Sequence, residues 1–196
     1  MVRNASEDIE QWKKDKNRKP LLLKGARQVG KTWLVDNAGK MLFNNNYIKF
    51  DFLKDKDIHE FFKKSINPNE IIKSLSLYAN KKIDSETLIF FDEIQECNDA
   101  LNSLKYFNEG DKKYYIIAAG SLLGLHLGGF PVGQTNEICI HPLSFDEYLM
   151  NYDKSIYEYF LNIKIDTIIE IPFHNKLLNF YNEYLIIGGM PEALNE

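Results

Sequence analysis

Hydrophobic and polar positions follow two rhythms along the chain, one of buried strands and one of helices. "LLLKG", residues 21–25, is a short unbroken apolar run ended by glycine, the pattern of a strand covered on both faces. "YIKFDF", 47–52, alternates and is rich in aromatics, which predicts a second strand. "TLIFFDE", 87–93, stays apolar until its last two residues and predicts a third. "KYYIIAAGS", 113–121, reads as a fourth, and "NEICIHPLSF", 136–145, as a fifth stopped by Pro142. Helical spacing fills the gaps. It covers residues 30–39, two patterns across 56–80 broken near Asn67-Pro68, and "NDALNSLKYFNEG", 98–110, with Leu101, Leu104 and Phe107 on one side and Gly110 to end it. Ahead of the first strand, "SEDIEQWKK" predicts a short helix with Ser6 as its cap and Ile9 and Trp12 on one face. Strands alternating with helices imply crossover units and a mainly parallel sheet. From residue 143 the rhythm becomes helical throughout, in "SFDEYLMNY", "SIYEYFLNI" and "HNKLLNFYNEYLII". The expected division is a core over 1–142 and a helical region over 143–196.

Composition narrows the class. At 196 residues and 44% hydrophobic, the chain suffices for one domain with a full core, or one domain and part of a second. A net charge of -4 excludes chain-wide attraction to nucleic acid. The basic run "KKDKNRK", 13–19, reads as a solvated helix end or linker, with an anionic partner as the minority reading. Cys97 and Cys139 lie far apart in no metal-ligand spacing, and the four histidines form no zinc pattern, so thiols are expected reduced and histidines structural. No stretch resembles a signal peptide or reaches the length of a membrane span, so a cytoplasmic, membrane-free protein is expected.

Chemistry enters at "GARQVGKT", residues 25–32. The spacing G-x-x-x-x-G-K-[ST] after a strand and before a helix is the phosphate-binding P-loop, or Walker A motif. Phosphates need donors and positive potential without bulk. Glycines let backbone N–H groups turn inward, and the helix N-terminus behind them adds partial positive charge. Lys31 supplies a point charge for the β- and γ-phosphates, and the Thr32 hydroxyl a ligand for Mg²⁺. A match by accident in a chain of this size has a probability on the order of 1%. The phosphate-binding set is therefore Gly25, Ala26, Arg27, Gln28, Val29, Gly30, Lys31, Thr32 and Trp33.

Two further strand ends carry polar groups. The third strand delivers Asp92 to its C-terminal tip, where ligands bind in parallel sheets. There Asp92 would hold Mg²⁺ and Glu93 would orient or deprotonate the attacking water, as in a Walker B pair; the bland alternative is a strand ending in solvated acids. The fourth strand ends in small residues at Ser121, which reads as a γ-phosphate sensor and equally as the N-cap of a following helix.

These segments resemble the AAA+-like P-loop ATPases of bacteria and archaea, in which an ATPase module precedes an uncharacterised, nuclease-like C-terminal domain. The resemblance rests on "GARQVGKT", "FFDEIQ" (90–95), "AAGSLLG" (118–124), "HPLSFDEYL" (141–149) and "YLIIGGMPEAL" (184–194), of which the last two are the more specific. It implies a five-stranded sheet of order 5-1-4-3-2, a following helical lid or start of a winged helix, and hydrolysis of ATP with Mg²⁺. It also implies that an output domain lies beyond this chain or has been lost. Relatives of this kind carry arginine before the fifth strand, a candidate finger for a neighbouring subunit, where "FPVGQ" places Gln134. Such a finger is worth roughly 10³- to 10⁵-fold in rate, so slow turnover, or a finger from Arg27, is expected; Arg27 equally reads as facing solvent.

The resulting expectation is an ATP-binding and ATP-hydrolysing switch whose strain moves the region after residue 143, with Lys31, Glu93 and Ser121 catalytic. A homo-oligomer and a DNA or protein partner are both compatible with it. The rival is a nucleotide-gated module that binds ATP, hydrolyses almost none and holds a partner. Glu93 separates the two, since a pure binder has no need of it. A phosphotransferase fits less well, because "DFLKDKDIHEFFKK" has the mixed charge of a surface helix. The absence of a guanine-specifying N-K-x-D favours adenine.

Overall fold

The computed structural model describes residues 1–111, 114–121 and 133–194. The chain forms two compact units: a larger one of Ala5–Arg27 and Lys31–Ile140, and a smaller one of Met1–Asn4, Gln28–Gly30 and His141–Glu196.

The larger unit is built on β1 (Leu21–Lys24), β2 (Tyr47–Asp51), β3 (Leu88–Asp92), β4 (Tyr115–Gly120) and β5 (Asn136–Cys139). All neighbours pair parallel in the order β2-β3-β4-β1-β5, which is the expected 5-1-4-3-2 read from the other edge. The helices are α1 (Ala5–Lys14), α2 (Lys31–Met41), α3 (His59–Lys64), α4 (Pro68–Tyr78) and α5 (Asn98–Glu109). β3 is buried along its whole length, as its unbroken apolar run requires of a central strand. Phe50, Phe52, Phe62 and Phe91 form the heart of one face, with Phe52 and Phe62 meeting Phe91 edge-on at 5.5 and 5.7 Å. Asn67 caps α4, its side chain accepting from the Asn69 N–H at 2.9 Å, and Pro68 opens that helix.

Two local expectations are corrected. α1 begins at Ala5, so Ser6 lies inside its first turn and does not cap it; Ile9 and Trp12 are buried as expected. β5 ends at Cys139, short of the Pro142 expected to stop it. It pairs only with β1, whose last residue Lys24 faces Cys139, and one further bond from the Ile140 N–H to the Lys24 carbonyl at 2.7 Å closes the ladder. Beyond that rung β1 has turned into the phosphate loop and offers β5 nothing to pair with. The part of the "AAGSLLG" and "FPVGQ" segments that falls in 122–132 lies outside the described residues.

The smaller unit contains α6 (Phe145–Tyr152), α7 (Lys154–Leu161) and α8 (Ile171–Ile187). Ser144 and Glu147 form a capping box at the start of α6, with Glu147 Oε2 accepting from the Ser144 N–H at 3.1 Å. Tyr148, Leu149 and Ile156 make its core, flanked by Phe145, Phe160, Phe180 and Tyr184. The Tyr148 hydroxyl donates to Glu183 at 3.1 Å; burial first and this carboxylate second push it up to about 12. The resemblance segment "HPLSFDEYL" is thus a helix start and core. The glycines of "GGMP" have an equally physical reason. Gly188 closes α8 at φ 78°, a conformation that side chains resist. A Cβ on Gly189 would lie 2.2 Å from the Leu143 carbonyl oxygen, and the Gly189 carbonyl accepts from the Leu143 N–H at 2.7 Å. Gly189→Ala should therefore force the two backbones apart and cost about 1–3 kcal/mol, read by denaturant unfolding. An unchanged midpoint would contradict this close approach.

Candidate functional site

The loop after β1 carries the first part of the site. Lys31 is 7% exposed, and its ammonium donates to the carbonyls of Gly25 and Ala26 at 3.0 and 2.6 Å. Burial lowers its pKa from the usual 10.5, opposed by the negative charges of Glu93 and Asp92. Lys31 is thus a partly dehydrated cation resting on neutral carbonyls, with two carboxylates in electrostatic reach. Gly25 lies at φ 154°, Gln28 at φ 64° and Gly30 at φ 90°, so the loop takes three residues through positive φ. Arg27 and Gln28 are exposed and Trp33 half-buried. Exposure of Arg27 fits both of its readings, since a finger for a neighbouring subunit would also face solvent in a single chain.

At the tip of β3, Asp92 is 6% exposed. Its Oδ2 accepts from the Thr32 hydroxyl at 3.0 Å and from the Lys49 ammonium at 2.9 Å. Thr32 and Asp92, the two residues expected to hold a metal, are therefore in direct contact. Hydroxyl and carboxylate oxygens are hard donors of the kind Mg²⁺ takes. Among the described residues no group of three or more His, Cys, Asp or Glu is placed to hold a metal ion by itself. Asp36, in the second turn of α2, is pushed up by burial first, drawn down by Lys49 and pushed up again by Asp92.

Glu93 follows β3 in the left-handed conformation, φ 52° and ψ 42°. A non-glycine residue there costs of order 1 kcal/mol or more and is held only by its surroundings. The Gln95 side-chain amide donates to the Glu93 carboxylate at 2.6 Å, which fixes its direction. Asp51, an alternative base, is engaged elsewhere. Oδ1 accepts from the Leu53 and Lys54 N–H groups at 3.1 and 3.2 Å, and Oδ2 pairs with Lys54 at 3.1 Å. Although burial would raise its pKa, these contacts hold it below the usual range.

Ser121 stands directly after β4. Gly120 faces Lys24 across the ladder, so Ser121 and Gly25 leave neighbouring strands side by side. The helix that Ser121 was expected to cap lies outside the described residues. Gln134 is half-buried and its carbonyl accepts from the Asn108 amide of α5 at 2.6 Å.

Lys49 and Gln95 were missed by sequence reasoning. For Lys49 a signal existed. The alternation of "YIKFD" puts Lys49 and Asp51 on one face of β2, and Asp51 faces Asp92 in register. For Gln95 there was none beyond its proximity to Glu93.

No curated protein gives a significant match. Among solved structures, AMPPCP-bound DnaA from Aquifex aeolicus superposes with a TM-score of 0.54 at 13% identity, covering 98% of this chain and 58% of that one. C. elegans PCH-2 superposes with a TM-score of 0.51 at 16% identity, covering 97% and 56%. At such identities the likeness concerns the fold, and this chain spans a little over half the length of each. The sequence itself matches the model of the AAA domain over residues 17–149, from the end of the basic run into α6. The chain belongs to the AAA domain family, and its fold is the P-loop fold of these AAA+ structures.

Proposed function

We propose that this module binds ATP and hydrolyses it with Mg²⁺, and that the cycle drives a conformational change in a C-terminal output region. The observation that carries the reading is the meeting of Thr32 with Asp92 beside a buried Lys31. Gly25–Thr32 would hold the phosphates, with Trp33 behind them in the first turn of α2. Lys31 would exchange its two carbonyl acceptors for phosphate oxygens, a stronger, charge-assisted pairing. Thr32 and Asp92 would hold Mg²⁺, which supplies positive charge to the phosphates when bound. Lys49 then has a second role, since it neutralises Asp92 when no metal does. Glu93 would orient and accept the proton of the attacking water, and Ser121 would touch the γ-phosphate. Gln134 carries no charge and is held by Asn108, so it offers no finger; turnover is expected to be slow.

α8 supports the coupling. It has no buried residue, and Leu185 and Ile186 are 61% and 86% exposed, an apolar surface for further protein or a partner. We place homo-oligomer contacts and any DNA or protein partner on the output side. No described helix is long and apolar enough to cross a membrane; a cytoplasmic setting is part of the proposal. The alternative is a nucleotide-gated binder that releases almost no phosphate. Glu93, strained and oriented by Gln95, favours hydrolysis, because a binder has no use for it.

Titration calorimetry with ATP and GTP, each with and without Mg²⁺, tests the binding step. Saturable ATP binding strengthened by Mg²⁺ is expected. Equal affinity for GTP would overturn the adenine assignment, and no binding of either would overturn the whole reading.

A further inference from the structure

Arg3 is a cation with no predicted role that is 4% exposed. It lies in the smaller unit, in the short segment before α1. Burying a guanidinium is expensive unless its donors are matched. Here Nε donates to Glu147 Oε1 at 3.1 Å, Nη1 to the Val29 carbonyl at 2.8 Å and Nη2 to the His141 carbonyl at 2.7 Å. Glu147 is itself 5% exposed, and also accepts from the backbone N–H groups of Asn4 and Ser144, at 2.8 and 3.1 Å. The charge pair is thereby fixed in position by a helix start.

One of the three acceptors belongs to the phosphate loop. The Val29 carbonyl and the Gly30 N–H share one trans peptide plane and point in opposite directions. Whatever holds the carbonyl aims the N–H the other way. Without such a hold this peptide would turn readily, because Gly30 has no Cβ to resist rotation and already sits at φ 90°. On the carbonyl's side the loop is walled in. A Cβ on Gly30 would lie 3.4 Å from Arg3 Nη1 and 3.5 Å from Pro191 Cγ. The two specific segments, "HPLSFDEYL" through Glu147 and "GGMPEAL" through Pro191, both back this one peptide.

We propose that Arg3 is a positioning residue for the phosphate loop: by holding the Val29 carbonyl it presents the Gly30 N–H to the nucleotide's phosphates. The proposal rests on the ATP-binding reading above. Arginine suits the task, because its planar fork takes several acceptors at fixed angles. A lysine offers a point charge that reaches fewer of them.

The test compares the full chain with Arg3→Met, Arg3→Lys and a control, Tyr184→Phe. The control removes a hydrogen bond of the same unit, from Tyr184 to the Leu143 carbonyl at 2.8 Å, without touching the loop. Calorimetry with MgADP and MgATP gives affinity, thermal unfolding gives stability, and the Gly30 amide resonance reports the phosphate contact directly. In the wild type, ADP should move that amide proton strongly downfield. Arg3→Met should lose the shift and bind both nucleotides about fivefold to tenfold more weakly, the worth of one misaligned hydrogen bond. Arg3→Lys should fall between, and Tyr184→Phe should lower only stability. Should Arg3→Met not fold, Arg3→Lys decides the matter alone. Wild-type affinities and an unchanged amide shift in the Arg3 variants would overturn the proposal and leave a purely structural ion pair. Failure of the wild type to bind ADP would instead overturn the ATPase reading beneath it.

Discussion

Lys31→Ala should abolish nucleotide binding while leaving the fold intact. The amine is the positive side chain inside the loop, and each charge-assisted bond it makes to phosphate is worth about 1.5–3 kcal/mol. Losing contacts to two phosphates corresponds to a loss of about a hundredfold or more in affinity. The empty protein should tolerate the change, because its Lys31 touches only carbonyls of its own loop, Gly25 and Ala26. Burial even makes the charged form costly there, which is why its pKa lies below 10.5. The sign follows. A lysine whose folded pKa is lowered penalises the empty fold while it is protonated, and phosphate relieves that penalty. ATP affinity should therefore stay level through neutral pH and fall as pH rises through the lowered pKa of Lys31, before 10.5 is reached. Calorimetry on Lys31→Ala checks the claim; retained affinity would mean that the loop holds no phosphate.

Glu93→Gln should keep binding and lose turnover. Glutamine preserves the shape and accepts a hydrogen bond, but takes no proton, and removal of a positioned base costs about 10²- to 10⁴-fold. The backbone prepares this residue for such a role. Its left-handed conformation breaks β3 sharply after Asp92, and Gln95 fixes the carboxylate at 2.6 Å. Asp51 is poorly placed to substitute, since both of its oxygens already serve Lys54 and the turn backbone. Surviving turnover would move the chemistry to another base, with Asp92 the nearest.

Much of this was legible in the sequence for a physical reason. A parallel sheet buries both faces of its strands, so β1 and β3 appear as unbroken apolar runs, and the loop between strand and helix must carry glycines. Sheet order was not legible from the pattern; it came with the family resemblance and agrees with the observed order. Boundaries failed where a neighbour decided them. β5 stops at Cys139 because β1 runs out, although its own residues would extend further. The alternating strand β2 announced Lys49 to a careful reading. Arg3 was invisible, because its charge partner Glu147 lies 144 residues away and the bond to the Val29 carbonyl involves backbone, which no residue pattern encodes. The glycines of "GGMP" were visible as a motif, but their cause, a backbone approach to Leu143, appears only in three dimensions.

The central claim is hydrolysis. Its most direct test is Mg²⁺-dependent phosphate release from ATP by this chain over a range of protein concentrations, with Glu93→Gln alongside. Slow release by the wild type, abolished in Glu93→Gln at undiminished ATP affinity, is expected; a rise steeper than linear with concentration would add mutual activation of subunits. ATP bound tightly with no phosphate released at any concentration would contradict the claim and leave a nucleotide-gated binder.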